Sequence, residues 1–198
     1  MAMASPFPLT YSGVGSGSLA GVPFLNAPFT LTEVVDTVNR VPILNGYAIQ
    51  DTSASILIGG VGDYGFLTST FAFVNNSTML AGFSRGADLI YAPSDAPFLP
   101  AYAAWDLATP LGPFTGTGQL LQWALPSVQT TGGVLVFANA TPTITFQATA
   151  GAPVPEPSTM ILLASLLAAV ASIRRLRLSV EWCGRLSLMS VSLRQRPI

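Results

Sequence analysis

The sequence predicts an all-β fold, an antiparallel β-sandwich over residues 1–150, followed by a Pro-rich linker (151–159), a single C-terminal transmembrane helix (160–173) and a basic tail (174–198). Three observations predict the fold. Short runs between residues 7 and 149 alternate polar and apolar side chains, which puts the apolar ones on one face of a half-buried strand. Pairs of turn-forming residues separate these runs at hairpin spacing. No window of about 11 residues free of Gly and Pro keeps a 3.6-residue period there, so alternating strands and helices are not expected.

The first runs lie in the N-terminal half. Residues 29–32 (Phe-Thr-Leu-Thr) alternate, and residues 47–50 and 53–58 form runs on either side of Asp51-Thr52. Residues 66–74 are rich in aromatic and β-branched side chains, which suit a pleated surface. Residues 79–83, 88–91, 120–123 and 134–137 give further short runs, and 143–147 (Thr-Ile-Thr-Phe-Gln) alternate cleanly. Asn45-Gly46, Gly59-Gly60, Asn75-Asn76, Thr109-Pro110 and Gly132-Gly133 break the pattern as turns do. Pro93, Pro97 and Pro100 mark a longer surface loop before residues 102–106. Pro153, Pro155 and Pro157 lack the ladder donor and bias their neighbours towards extended backbone, so the strands end before them in a stiff linker.

Composition excludes several kinds of chemistry. Half of the residues are hydrophobic and only 9% are charged, which is the reverse of a disordered composition. There is no histidine and a single cysteine, Cys183, so Ser-His-Asp and Cys-His catalysis, histidine-bound zinc and internal disulfides are all absent by inventory. No enzyme activity and no cofactor are expected. The charge is split along the chain: Glu33, Asp36, Asp51, Asp63, Asp88, Asp95 and Asp106 face only Arg40 and Arg85, whereas six arginines and one glutamate come after residue 173. An acidic domain before an apolar run and arginines after it fit the tendency of basic flanks to stay in the cytoplasm, making the β-domain an ectodomain. An acidic, lysine-free domain also argues against a nucleic-acid partner.

Several motifs invite a function and fail on context. Gly82-Phe83-Ser84-Arg85-Gly86 matches the G-x-S-x-G elbow, but no histidine exists to take the serine proton. Gly60-Val61-Gly62-Asp63-Tyr64-Gly65 matches G-x-G-x-x-G, yet the next run, residues 66–74, reads as strand, whereas a dinucleotide needs helix N-terminal amides. The scattered carboxylates show no calcium-loop spacing and are read as turn residues, so no metal site is assigned, although sequence distance says little about distance in a sandwich. Tyr91, Tyr102, Trp105 and Trp123 are candidate ligand-binding aromatics for sugar rings, while aromatics at strand spacing more often belong to the core. Three N-x-S/T matches, at Asn75, Asn76 and Asn139, arise easily in a chain this rich in Ser and Thr and assign nothing.

The tail is more specific. Residues 160–173 carry no charge and as helix would measure roughly 21 Å, short of a hydrocarbon core of about 30 Å. Counting from Pro157, tolerated at a helix start, to Arg175, whose side chain can snorkel to the interface, brings the length close to a minimal span. The alternative is a buried core helix, which runs of about 10–14 apolar residues often are. Val154, Pro155, Glu156, Pro157, Ser158 and Thr159, then the apolar run, then Arg174, Arg175 and Arg177, resemble the PEP-CTERM sorting signal of Gram-negative bacteria. The resemblance implies Sec-dependent export, retention in the inner membrane with the C-terminus cytoplasmic, and recognition of Pro155-Glu156-Pro157 by exosortase, a membrane-embedded transpeptidase-like enzyme. Cleavage then delivers the ectodomain to the cell surface and its exopolysaccharide matrix. Arg174, Arg175 and Arg177 would be the stop-transfer flank.

The sequence departs from that family at both ends. Met1 to Pro8 has neither a basic n-region nor an apolar h-region, so either the true start lies upstream or export is unexplained. Residues 176–198 extend past the arginines, and Cys183 among them is expected as a reduced cytoplasmic thiol. The expectation is therefore a secreted structural protein of the cell surface or biofilm matrix. A carbohydrate-binding module using the four aromatics is the alternative.

Overall fold

The structure is a computed structural model that describes residues 6–121, 123 and 128–151, all within the compact unit Met1–Val154. Its described residues form thirteen strands in antiparallel pairing. The centre is a long hairpin, β1 (Pro6–Leu19) and β2 (Val22–Asp36), in register from Pro6↔Asp36 to Leu19↔Val22. Ala20 and Gly21 make the turn with φ of 49° and 82°, the left-handed pair that matches strand twist in a two-residue hairpin. Phe7, Leu9 and Tyr11 on β1, and Phe29, Leu31, Glu33 and Val35 on β2, all point inwards at period 2.

After a single 3-10 turn at Thr37–Asn39 come β3 (Val41–Ile43) and β4 (Gly46–Ile58). β4 is the hinge of the architecture. Residues 51–58 pair with β2, and residues 46–50 pair with β6 (Phe71–Asn75) on one side and lie beside β3 on the other. A register shift between Val34 and Val35 marks the point where the strand changes neighbours, as bulges do where a sheet must bend.

The sheet curls back on itself. β5 (Gly62–Gly65) pairs with the end of β4. Beyond it Phe66 bridges Thr130, the Leu67 amide donates to the Gln129 carbonyl at 2.9 Å and the Thr131 amide to Gly65 at 2.9 Å. Thr130 ends β11 (Val128–Thr130), which pairs with β12 (Gly133–Ala140), and β12 returns to β1. Gly17 sits at the β1 bulge facing β12, where a Cβ would overlap the Val136 carbonyl.

The remaining strands line the other half of the core. β7 (Leu80–Ser84), β8 (Asp88–Tyr91) and β10 (Gln119–Leu120) extend from β6. β9 (Leu111–Thr117) joins β13 (Thr143–Ala148), which pairs with the first half of β1. A short helix, α1 (Leu99–Ala104), falls in the proline-rich stretch read as loop, with proline in its first turn. Phe146 of β13 packs against Tyr11 at 5.0 Å between ring centroids, Trp105 at 5.7 Å and Tyr102 of α1 at 6.3 Å.

The antiparallel all-β expectation is met. Its finer form, two separate sandwich layers, is replaced by one continuous, nearly barrel-shaped sheet, because β1, β2 and β4 are long enough to serve both halves. Among the described residues no helix is long and apolar enough to cross a membrane. The transmembrane helix expected at 160–173 lies outside them.

Candidate functional site

The four candidate aromatics do not form a platform. Tyr102, Trp105 and Trp123 are buried in the core. Trp105 Nε1 donates to the Thr109 carbonyl at 2.7 Å, and Trp123 Nε1 to the Leu89 carbonyl at 2.7 Å. The Trp123 ring lies 4.9 Å from Phe137 and 6.3 Å from Phe66. Tyr91 is half-buried and donates its hydroxyl to Asp88 at 2.8 Å; burial and then the neighbouring Asp88 push that hydroxyl up to about 12. Tyr102, Trp105 and Trp123 face inwards because a sheet this curved needs large side chains to fill its interior, whereas Tyr91 packs edge-on to the half-buried Phe73 on the outer side of the sheet.

The two glycine motifs are turns. Gly60, with φ of 75°, lies in the turn from β4, and Gly62, with φ of 148°, opens β5, so strand and not helix comes after the turn. Ser84 ends β7 before a short turn into β8, so no helix comes after it. Of the glycosylation matches, Asn76 is spoken for: its Nδ2 donates to the carbonyls of Tyr102 at 2.7 Å and Trp105 at 2.9 Å, tying the β6–β7 turn to α1. The Asn75 carboxamide oxygen accepts from the amides of Ser77 and Thr78 in the same turn.

The structure gathers instead a set of acids in the interior. Glu33 of β2 is fully buried, and Tyr11 of β1 donates its hydroxyl to Glu33 Oε1 at 3.1 Å. Glu33 Oε2, both carboxyl oxygens of Asp51 at the β4 bend, and the Tyr102 hydroxyl are buried without a hydrogen-bond partner. Burial pushes the Glu33 carboxyl well above the usual carboxylate range, and the adjacent Asp51 pushes it further. Burial likewise lifts Asp51 to about 6, with Thr70, Glu33 and the Ala72 backbone holding it down although none reaches full hydrogen-bond geometry. The Tyr11 hydroxyl is raised by burial first and by Glu33 second.

The sequence held a sign of this pair that the reading of scattered turn carboxylates missed. Glu33 continues the alternation of Phe29 and Leu31 and so falls on the apolar face of β2. Asp106, by contrast, is a surface group: it accepts from Arg40 at 2.6 Å, and Arg40 lies over the Tyr47 ring at 4.7 Å. Burial works to raise its carboxyl, but the Ala108 amide and Arg40 outweigh that and leave it below the usual range. Among the described residues no group of three or more His, Cys, Asp or Glu is placed to hold a metal ion.

The described chain ends beside its beginning. Past β13 the Thr149 amide donates to the Pro8 carbonyl at 3.0 Å, and Gly151 lies directly against the backbone of Pro6. The candidate sorting residues Val154, Pro155, Glu156, Pro157, Ser158 and Thr159, and the candidate stop-transfer residues Arg174, Arg175 and Arg177, lie outside the described residues. No curated protein and no solved structure matches the chain. A family model described as the PEP-CTERM protein-sorting motif matches residues 153–175, which include all six candidate sorting residues together with Arg174 and Arg175. The chain therefore carries a PEP-CTERM protein-sorting motif directly after its β-domain.

Proposed function

We propose that this chain is an exported structural protein of the cell surface or extracellular matrix, with no enzymatic activity, whose β-domain is delivered by its C-terminal sorting motif. The observation that carries the reading is the motif match at residues 153–175, five residues after β13 ends at Ala148. Proline at 153, 155 and 157 lacks the donor that a sheet ladder needs, and in this reading the stretch is open to an enzyme. In this reading the apolar residues 160–173 hold the chain in the inner membrane, and Arg174 and Arg175 stop transfer. Exosortase acts near Pro155-Glu156-Pro157. The β-domain then leaves intact, because its last strand is complete before the motif begins.

The experiment is a triple substitution, Pro155→Ala, Glu156→Ala and Pro157→Ala, expressed in cells that contain an exosortase. The wild-type chain should lose its tail and the variant should keep it; identical mature masses would contradict the proposal. The carbohydrate-binding alternative rested on Tyr91, Tyr102, Trp105 and Trp123. Three of these are core residues and the fourth is half-buried with its hydroxyl engaged, so no observation favours it.

A further inference from the structure

We propose that Glu33 and Asp51 form a proton-binding site that latches β2 to β4 where the sheet bends, closed in acid and released as the solution becomes alkaline. The geometry carries this. Glu33 is fully buried, and three carboxyl oxygens of the pair lack any hydrogen-bond partner. Asp51 pairs with Val35, which lies two residues from Glu33 on the same buried face of β2, and among the described residues no cation acts on the two carboxyls; two ionised carboxylates so placed in an apolar interior are strongly disfavoured. One proton resolves the conflict, since a protonated carboxyl becomes a donor and its neighbour an acceptor.

Among the described residues, every titratable group that acts on the pair is itself an acid. Tyr11 faces it from β1, and Tyr102, on α1, stands next to Tyr11. The β6 side contributes Thr70 and the Ala72 backbone, neither of which is charged. A calcium ion is a poorer occupant, because it takes about 6–8 oxygen ligands and the pair offers three unpaired carboxyl oxygens.

The latch has a place to open. Asp51 also lines a groove with Asn39, Val41, Ile43, Gln50 and Phe71, and its amide donates to the Thr70 carbonyl at 2.9 Å beside β6. Asp51 gives up its proton first, and loss of the second, from Glu33, leaves two repelling charges, with this groove as the route to water.

Linkage fixes the sign. The folded chain holds the proton more tightly than the unfolded chain, so the latch contributes fully below the ordinary carboxylate range and is lost as pH rises through the folded values. Asp51, held at about 6 against an ordinary 3.8, should alone lower the folding equilibrium constant on the order of 100-fold between pH 4 and pH 8, and Glu33, raised as well, adds to the fall in the same direction.

The test is urea denaturation of the full-length chain in mild detergent at pH 4 and pH 8, beside the double variant Glu33→Gln, Asp51→Asn. The wild-type midpoint should fall at pH 8 and that of the variant should stay level. A level wild-type midpoint, or a variant with the wild-type slope, overturns the proposal. So does restoration of the wild-type midpoint at pH 8 by millimolar calcium, which would make the pair a cation site. Should the variant not fold, hydrogen exchange of wild-type peptides spanning residues 48–53, corrected for intrinsic rate, decides: protection lost at pH 8 supports the latch, and equal protection overturns it.

Discussion

Phe146 is the residue on which the fit of β13 depends, and its replacement by Ala gives a quantitative test of the packing. The ring is fully buried and touches Tyr11, Tyr102 and Trp105, which belong to β1, α1 and the segment after α1. Three large neighbours held by separate parts of the backbone cannot all collapse into the space left behind, so the loss should be about 3–5 kcal/mol. A domain of this kind has about 5–15 kcal/mol of stability in all. With an m-value of about 1–3 kcal/mol/M in urea, the denaturation midpoint should drop by roughly 1–5 M. Trp105 stacks edge-on to the ring and reports the change by fluorescence. Phe146→Leu, which keeps most of the volume, should lose much less. A loss under about 1 kcal/mol for Phe146→Ala would refute the claim that β13 is fixed by this aromatic cluster.

Two smaller effects arise from neighbouring contacts. Trp123→Phe keeps most of the ring packing but loses the Nε1 bond to the Leu89 carbonyl, so it should lower stability by about 1–2 kcal/mol in the same denaturation assay. Arg40→Ala breaks the ion pair with Asp106, and because both side chains are about one-third exposed the loss should stay within about 1 kcal/mol and shrink in high salt. The pH dependence of that pair has the opposite sign to the interior acids. The Asp106 carboxyl is depressed, so its contribution is present above the ordinary carboxylate range and fades as pH falls through it; titration of the Arg40→Ala chain should show a smaller acid limb, with the Ala108 amide and Thr109 still acting on the carboxyl.

Much of the fold is legible where local pattern and tertiary placement agree. The alternation at 143–147 becomes β13, the run at 88–91 becomes β8, and the Asn45-Gly46 and Gly59-Gly60 breaks fall at strand ends. β1 is the main element that the pattern hides. Its prolines and glycines lower strand propensity, yet Phe7, Leu9 and Tyr11 alternate, and pairing on both sides overrides the local preference. The run at 66–74 is strand only from Phe71, because Phe66 has already turned to bridge Thr130. Joining the runs at 47–50 and 53–58 into one bent strand depends on which neighbour each half meets, and that is a tertiary fact. The interior acids show both sides of the matter: the position of Glu33 on the apolar face of β2 is readable, whereas its partner Asp51 is found only once β2 and β4 lie side by side. Tyr102, Trp105 and Trp123 point inwards for the same reason that the sheet is nearly closed, since long curved strands need rings to fill the interior.

The sorting role stands or falls on the intact mass of the mature protein, measured in otherwise identical cells with and without an exosortase. With the enzyme, the recovered chain should end near Pro155-Glu156-Pro157 and yield no peptide from residues 176–198; without it, those peptides should be retained. A full-length chain in both strains would contradict that role.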